Sequence, residues 1–119
     1  MRYARLGNSG LIVSRMAFGT MTMGSGMGAA LSKLDSGESA RLVHQALDAG
    51  VNLFDTANMY HYGESERILG AALADRRKDA VVVTKVGMRL SSRLDDVGLS
   101  ARNINQCLDM SLKRLGTDH

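Results

Sequence analysis

The sequence is poor in cysteine, proline and aromatic residues, and these shortages narrow the classes of protein it can represent. A single cysteine, Cys107, excludes an intrachain disulfide and a zinc site built from cysteines. It stands in a helical pattern, so we expect it to be a buried small apolar residue in a reducing compartment. Proline is absent, where about 5% is usual. Aromatic residues make up only 4% of the chain.

Long apolar runs and concentrated charge are also missing. No stretch approaches the ~18 apolar residues that suggest a membrane span, and no apolar run follows the first five residues as it would in a secretory signal. Lys and Arg number 15 against 12 Asp and Glu, and they are scattered along the chain, which does not predict a nucleic-acid surface. We therefore expect a cytoplasmic domain whose partner is neither nucleic acid nor a membrane.

What the sequence does contain is a regular alternation of strand and helix patterns. Residues 2–6 and 11–13, separated by Gly-Asn-Ser-Gly, predict a hairpin. Apolar runs then alternate with amphipathic stretches at a period of about 30 residues, which predicts a parallel sheet. The predicted strands are 16–19, 51–54 and 81–85, and the predicted helices are 38–49, 64–74 and 100–115. Residues 20–37, rich in Gly, Ser, Thr and Met, are predicted to be a loop.

A parallel sheet of this kind belongs to a doubly wound open sheet or to a (β/α)₈ barrel. In both architectures the chemistry gathers at the carboxyl ends of the strands. The residues predicted there are Gly19, Thr20 and Met21 after the first strand, Asp55 after the second and Lys85 after the third. A carboxylate and an ammonium that end neighbouring strands make a candidate site.

Two other nicotinamide-binding arrangements fit the sequence poorly. Residues 24–29 match the pattern G-x-G-x-x-A, but a dinucleotide fingerprint opens a helix directly after a strand, and helix signals here start only near Glu38. We interpret 24–29 as a flexible loop. The short-chain dehydrogenase arrangement needs a tyrosine and a lysine one helical turn apart, whereas Tyr60 and Lys85 are far apart in sequence.

The segment at residues 52–60, Asn-Leu-Phe-Asp-Thr-Ala-Asn-Met-Tyr, resembles the aldo-keto reductases, which are (β/α)₈ barrels without a Rossmann domain. The resemblance covers the whole chain. It implies that residues 1–119 are the N-terminal portion of a single barrel domain, with the hairpin and about three of eight βα units. Further matching motifs are Gly-Val at 50–51, Gly-Glu-Ser-Glu at 63–66, Leu-Gly at 69–70, Val-Thr-Lys at 83–85 and Leu-Gly-Thr-Asp at 115–118.

The resemblance also implies an activity, which is the reduction of aldehydes and ketones by hydride transfer from NADPH. Tyr60 would be the general acid, Lys85 the ammonium that makes it a better proton donor, and Asp55 the carboxylate that keeps Lys85 charged. Contacts to the cofactor are implied for Gly19, Thr20, Met21 and Asp55, largely through the backbone in the segment after the first strand. No metal is implied.

Several polar residues near Tyr60 receive other roles. The family spacing from Asp55 selects Tyr60, so we expect His61 and Tyr62 to line the pocket or to be exposed. Residues 64–66 suit the start of a helix, where acidic side chains favour the dipole, and are predicted to be structural. His44 is predicted to be a surface or packing residue.

An alternative reading is a non-catalytic, NADPH-binding regulatory subunit on the same scaffold, similar to the channel β-subunit branch of the family. Residues 20–37 carry no basic or aromatic docking patch, which favours the enzyme. The family's catalytic histidine would lie beyond His119. We therefore expect residues 1–119 alone to be inactive, and to be stable only in association with the rest of a barrel or with a second copy.

Overall fold

The computed structural model describes residues 1–27 and 34–119, and its first element is a small hairpin. Strand β1 (Tyr3–Arg5) pairs antiparallel with β2 (Ile12–Ser14). The connecting turn is closed by a hydrogen bond from the Ser9 N–H to the Leu6 carbonyl, at 3.1 Å. The predicted hairpin is therefore confirmed, with β2 shifted one residue towards the C-terminus.

A three-stranded parallel sheet follows, as the alternating pattern predicts. The strand order is β3-β4-β5, and the register aligns Gly19 with Asp55 and Asp55 with Val83. The carboxyl ends of all three strands consequently lie at one edge of the sheet. The strands are β3 (Ala17–Gly19), β4 (Leu53–Asp55) and β5 (Val81–Val83), each shorter than its apolar run.

Three helices connect and follow these strands, and their ends are set by local capping. The Asp35 carboxylate accepts the Glu38 N–H at 2.7 Å, so the first helix begins earlier than predicted. The Ser100 hydroxyl caps the last helix, and Gly116 ends it in the left-handed conformation. The helices are α1 (Ser36–Asp48), α2 (Glu64–Leu73) and α3 (Ala101–Leu115). Irregular turns at Tyr60–Gly63 and Ala74–Asp79 flank α2, with non-helical backbone at His61, Tyr62 and Arg76.

The core lies between the sheet and the first two helices. Phe54, at the centre of β4, is fully buried and its ring lies 5.8 Å from that of Phe18, centroid to centroid. Helix α1 packs against α2, and α2 packs against α3, so the helices follow one another along the sheet as in a barrel wall. The buried apolar residues of this core are Met23, Val43, Leu47, Phe54, Leu69, Ala72, Leu73, Ala80 and Leu115.

The buried face of α3 differs from its apolar stripe. Ile104 and Leu108 mark the helix in the sequence, yet they are 39% and 47% exposed. The buried side of α3 instead carries mostly small and polar residues. The C-terminal end of α3 lies close to α2, since a Cβ on Gly70 would collide with the Leu115 carbonyl. The residues buried on that face are Asn103, Cys107, Ser111 and Leu115, which confirms the burial of Cys107.

The described part of the glycine-rich segment, residues 24–27, is not helical. Residues 24–27 form bends and turns, and Gly28 and Ala29 of the G-x-G-x-x-A pattern lie outside the described residues, as does 28–33 of the predicted loop. Within the described residues the next helix after β3 is α1, which begins at Ser36, whereas a dinucleotide fingerprint opens a helix directly after its strand. Among the described residues, no helix combines the length and apolar character needed to cross a membrane.

Candidate active site

The candidate site forms where β4 and β5 continue past their regular ends. The Thr56 N–H donates to the Val83 carbonyl at 2.8 Å, and the Asn58 N–H donates to the Lys85 carbonyl at 3.2 Å. These hydrogen bonds keep the segments that follow β4 and β5 side by side beyond the ends of the strands. Asp55 and Lys85, which are 30 residues apart in sequence, are thereby held next to each other.

The Lys85 ammonium contacts the other polar groups of the site. It donates to the Asp55 carboxylate at 2.7 Å and to the Thr56 carbonyl at 2.9 Å, and it lies 3.4 Å from the Tyr60 hydroxyl oxygen. An ammonium has three hydrogens to donate, and these three acceptors match them. The structure thus brings together Asp55, Tyr60 and Lys85, the three residues for which the resemblance implies catalytic roles.

The surroundings of Lys85 keep it protonated. Partial burial acts to lower the pKa of Lys85, but the hydrogen bonds to Asp55 and Tyr60 outweigh it, so the pKa lies above its usual value. Its nitrogen also lies 5.1 Å from the centre of the Tyr60 ring, within cation–π range. The ammonium therefore stands where it can stabilise negative charge that develops on the Tyr60 oxygen.

Tyr60 lies beside a small, mostly apolar cleft. A turn closed by a 3.1 Å hydrogen bond from the Tyr60 N–H to the Ala57 carbonyl presents the Tyr60 side chain there. The cleft has a volume of about 160 Å³. An apolar cleft with a phenol and an ammonium at one side can hold a small carbonyl compound and polarise its oxygen. Besides Tyr60 and Lys85, its lining includes Ala57, Met59, Val86 and Met88.

The residues for which the resemblance implies contacts to the cofactor differ in their exposure to solvent. Gly19 is exposed at the end of β3, with open space beside its Cα, and Met21 is 43% exposed. Thr20 is fully buried, and both its N–H and its hydroxyl donate to the Asp55 carbonyl, at 3.0 and 3.2 Å. Gly19 and Met21 are thus accessible from solvent, while Thr20 joins β3 to β4.

The expectation for His61 was wrong. Its side chain neither lines the cleft nor reaches the surface, because it is only 2% exposed. One ring nitrogen, Nδ1, accepts the Met27 N–H at 3.0 Å, and Nε2 lies 2.9 Å from the Met21 carbonyl oxygen. The sequence carried no signal for this contact, since the partners are 34 and 40 residues away. Tyr62, in contrast, is 67% exposed, as expected.

The first turn of α2 is attached to the segment after β3 by two further contacts. The Glu64 carboxylate accepts the Ser25 N–H at 2.8 Å, and this hydrogen bond lowers the pKa of Glu64. The Ser65 hydroxyl lies 2.8 Å from both the carbonyl and the hydroxyl oxygen of Thr20. These side chains are structural, as predicted from their place at a helix start, but their partners are distant in sequence.

Glu66 forms a buried ion pair that the sequence did not reveal. Its carboxylate is fully buried, accepts from the Arg114 guanidinium at 3.0 Å and from the Thr84 hydroxyl at 2.7 Å. It therefore joins α2 to α3 and to the residue before Lys85.

Glycine is required at Gly63, where φ is +85° and a Cβ would lie 2.5 Å from Arg114 Nε. Elsewhere His44, predicted to be a surface or packing residue, is exposed, and its Nε2 lies 2.8 Å from the Ala72 carbonyl oxygen.

Within residues 1–27 and 34–119 no three His, Cys, Asp or Glu side chains are grouped so that they could hold a metal ion. The polar groups of the site are instead a phenol, an ammonium and a carboxylate. This set suits proton donation next to a bound organic cofactor.

Comparison with known proteins agrees with this arrangement. A family model described as "Aldo/keto reductase family" matches residues 15–119. A probable voltage-gated potassium channel subunit beta of Oryza sativa subsp. japonica is 41% identical over 123 residues, which cover 100% of this chain and 35% of the relative. The versiconal hemiacetal acetate reductase of Aspergillus parasiticus is 36% identical over 137 residues, covering 98% of this chain and 40% of that enzyme.

Solved structures give the same result. An aldo-keto reductase of Bacillus halodurans in its holo form superposes with a TM-score of 0.83 at 34% identity, covering 100% of this chain and 38% of that one. The chain thus spans 35–40% of the length of the relatives named here. Because the family model matches most of the sequence and the strand ends carry the residues described above, this chain belongs to the aldo/keto reductase family.

Proposed function

We propose that this chain supplies the proton-donating part of an NADPH-dependent active site that reduces small aldehydes and ketones to alcohols. The observation that carries the proposal is the contact of one ammonium, Lys85 Nζ, with both the Tyr60 hydroxyl at 3.4 Å and the Asp55 carboxylate at 2.7 Å. The choice of NADPH rests on the family resemblance, and the cytoplasmic setting on the single, buried cysteine.

The roles of the three residues follow from their chemistry. A bound nicotinamide supplies the hydride that reaches the carbonyl carbon. Tyr60 donates its proton to the carbonyl oxygen, and Lys85 stabilises the phenolate that remains. Asp55 keeps Lys85 protonated and holds its ammonium in position through their ion pair. Solvent then returns a proton to Tyr60, so that one hydride and one proton are added to each carbonyl.

The complete activity is proposed for the whole protein rather than for residues 1–119. In the described part of the chain, β3 and β5 are each paired on one side only. Their free edges expose backbone groups that a closed barrel satisfies. We expect the 119-residue chain by itself to turn over no NADPH, and to self-associate or to require the remaining barrel units.

The test is the replacement Tyr60→Phe in the whole protein, with NADPH consumption measured on a reactive aromatic aldehyde. Loss of a general acid reduces kcat by at least ~100-fold, while the dissociation constant for NADPH should stay unchanged. Tyr62→Phe makes the same chemical change at an exposed neighbour and serves as the matched control. Reduction at the wild-type rate by Tyr60→Phe would show that Tyr60 is not the proton donor.

A second candidate function is a non-catalytic regulatory subunit that binds NADPH. Its support is the name of the rice relative, a probable potassium channel subunit beta. The same assay separates the two candidates. A regulatory subunit would bind NADPH without consuming it in the presence of the aldehyde, and Tyr60→Phe would then change nothing.

A further inference from the structure

The backbone directly after Tyr60 adopts an unfavourable conformation at two successive residues. His61 has φ +49° and Tyr62 has φ +56°, and they are the non-glycine residues with positive φ in the described chain. The left-handed region is disfavoured for residues with a Cβ, and such strain persists where the surrounding structure enforces it. A contact made by one of these residues must therefore hold the turn in place.

The His61 ring makes that contact. It bridges the two ends of the segment 21–27, which follows β3: the Met27 N–H donates to Nδ1 at 3.0 Å, and Nε2 stands 2.9 Å from the Met21 carbonyl oxygen. Because the Met27 N–H is a donor, Nδ1 must be unprotonated, and Nε2 must carry the hydrogen that reaches Met21. A neutral ring in a single tautomer thus satisfies both backbone groups.

The segment 21–27 is also fitted tightly against the turn. A Cβ on Gly24, where φ is +124°, would lie 2.8 Å from both Cβ and Cγ of His61. The Glu64 carboxylate holds the Ser25 N–H at 2.8 Å. Only a glycine lets the backbone at position 24 come so close to the imidazole. The histidine, the glycine and the glutamate together fix the segment on the turn that carries Tyr60.

This arrangement couples two parts of the site that come from different strands. Met21 follows the end of β3, where the open surface beside Gly19 lies, and Tyr60 immediately precedes His61. The imidazole therefore connects the surface proposed to face the nicotinamide with the proposed proton donor.

We propose that His61 is a positioning residue, which fixes the segment 21–27 relative to Tyr60 and so pre-forms the nicotinamide side of the site. The proposal rests on the proposed function. Without the His61 contacts, part of the cofactor's binding free energy is spent on ordering the segment 21–27. The apparent affinity for the cofactor is then reduced in proportion to the fraction of molecules in which the segment is already ordered.

The first experiment uses the whole protein without any cofactor. His61→Phe keeps the ring volume but removes both hydrogen bonds, and hydrogen exchange is measured at the Met27 amide. We expect exchange at least ~10-fold faster than in the unaltered chain, because the amide loses its acceptor. His44→Phe removes a ring-to-carbonyl hydrogen bond between α1 and Ala72 and is the matched control, with no change at Met27. Unchanged exchange in His61→Phe would overturn the proposal.

The second experiment measures the NADPH dissociation constant, and the KM for the aldehyde, in the whole protein. His61→Phe should weaken NADPH binding by about tenfold and leave the aldehyde KM within about twofold, while His44→Phe should alter neither. His61→Asn tolerates the left-handed conformation and keeps an acceptor for Met27, so it should recover part of the affinity and carries the test if the phenylalanine variant does not fold.

The outcomes separate this proposal from the proposed function. Equal NADPH affinity in His61→Phe, His61→Asn and the unaltered protein would overturn the positioning role, whatever Tyr60→Phe does. Full activity of Tyr60→Phe would overturn the proton-donor assignment and leave the Met27 exchange result unaffected.

Discussion

Replacing Arg114 by methionine should destabilise the protein more than any change on its exposed surface. The substitution leaves the fully buried Glu66 carboxylate with the Thr84 hydroxyl as its remaining partner in the described structure. Breaking a buried ion pair from one side costs roughly 3–5 kcal/mol, because the other charge stays in a poorly solvated place. Methionine fills much of the space of the arginine stem, so the loss reports the charge rather than a cavity.

The reciprocal change, Glu66→Gln, should cost less. The amide oxygen still accepts from Thr84, and the Arg114 side chain, 16% exposed, retains some contact with water. We expect a loss of about 1–2 kcal/mol. The double variant should be more stable than Arg114→Met alone, because it contains no unpaired buried carboxylate.

The assay is urea denaturation of the four proteins, followed by circular dichroism, with the free energies of unfolding compared in a double-mutant cycle. Arg67→Met, an exposed arginine on α2, is the matched control and should change the free energy of unfolding by less than ~0.5 kcal/mol. A loss below ~1 kcal/mol for Arg114→Met would refute the argument, since it would mean that Glu66 finds water or protonates at little cost.

Two further predictions concern the contacts around α2. Gly70→Ala places a Cβ against the Leu115 carbonyl and should destabilise the protein by about 1–3 kcal/mol in the same urea assay. Gly10→Ala, with open space at its Cα, is the control and should leave the free energy of unfolding nearly unchanged. Equal stability of the two variants would refute the close approach of α2 and α3. The Ser25 N–H holds the pKa of Glu64 below its ordinary value of 4.5. This contact therefore stabilises the fold fully above pH 4.5, and the stabilisation is lost as the pH falls through the lowered pKa. By NMR, the chemical shift of the Ser25 amide should follow the titration of Glu64, and the same titration in Glu64→Gln would contradict the assignment.

The sequence alone determined the order of elements and the edge at which the site lies. Apolar runs at a period of about 30 residues fix a parallel sheet, because each strand needs a crossover before the next one can pair in parallel. Asp55 and Lys85 end neighbouring runs, so their meeting followed from that order. The predicted helix 100–115 lies within one residue of α3, because the caps at Ser100 and Gly116 depend on nearby backbone groups. The choice of Tyr60 over its neighbours came from the family spacing.

The tertiary structure alone decided what the remaining polar residues contact. His61, Glu66 and Asn103 look like surface residues in the sequence, and each is buried. Glu66 and Arg114 are 48 residues apart, and the His61 partners lie in a segment without secondary structure, so no local periodicity connects them. The side of α3 that is buried was likewise decided by packing, because Ile104 and Leu108 stay exposed while Cys107 and Ser111 are buried. Such contacts depend on which elements pack together, and the pattern of a single element does not contain that information.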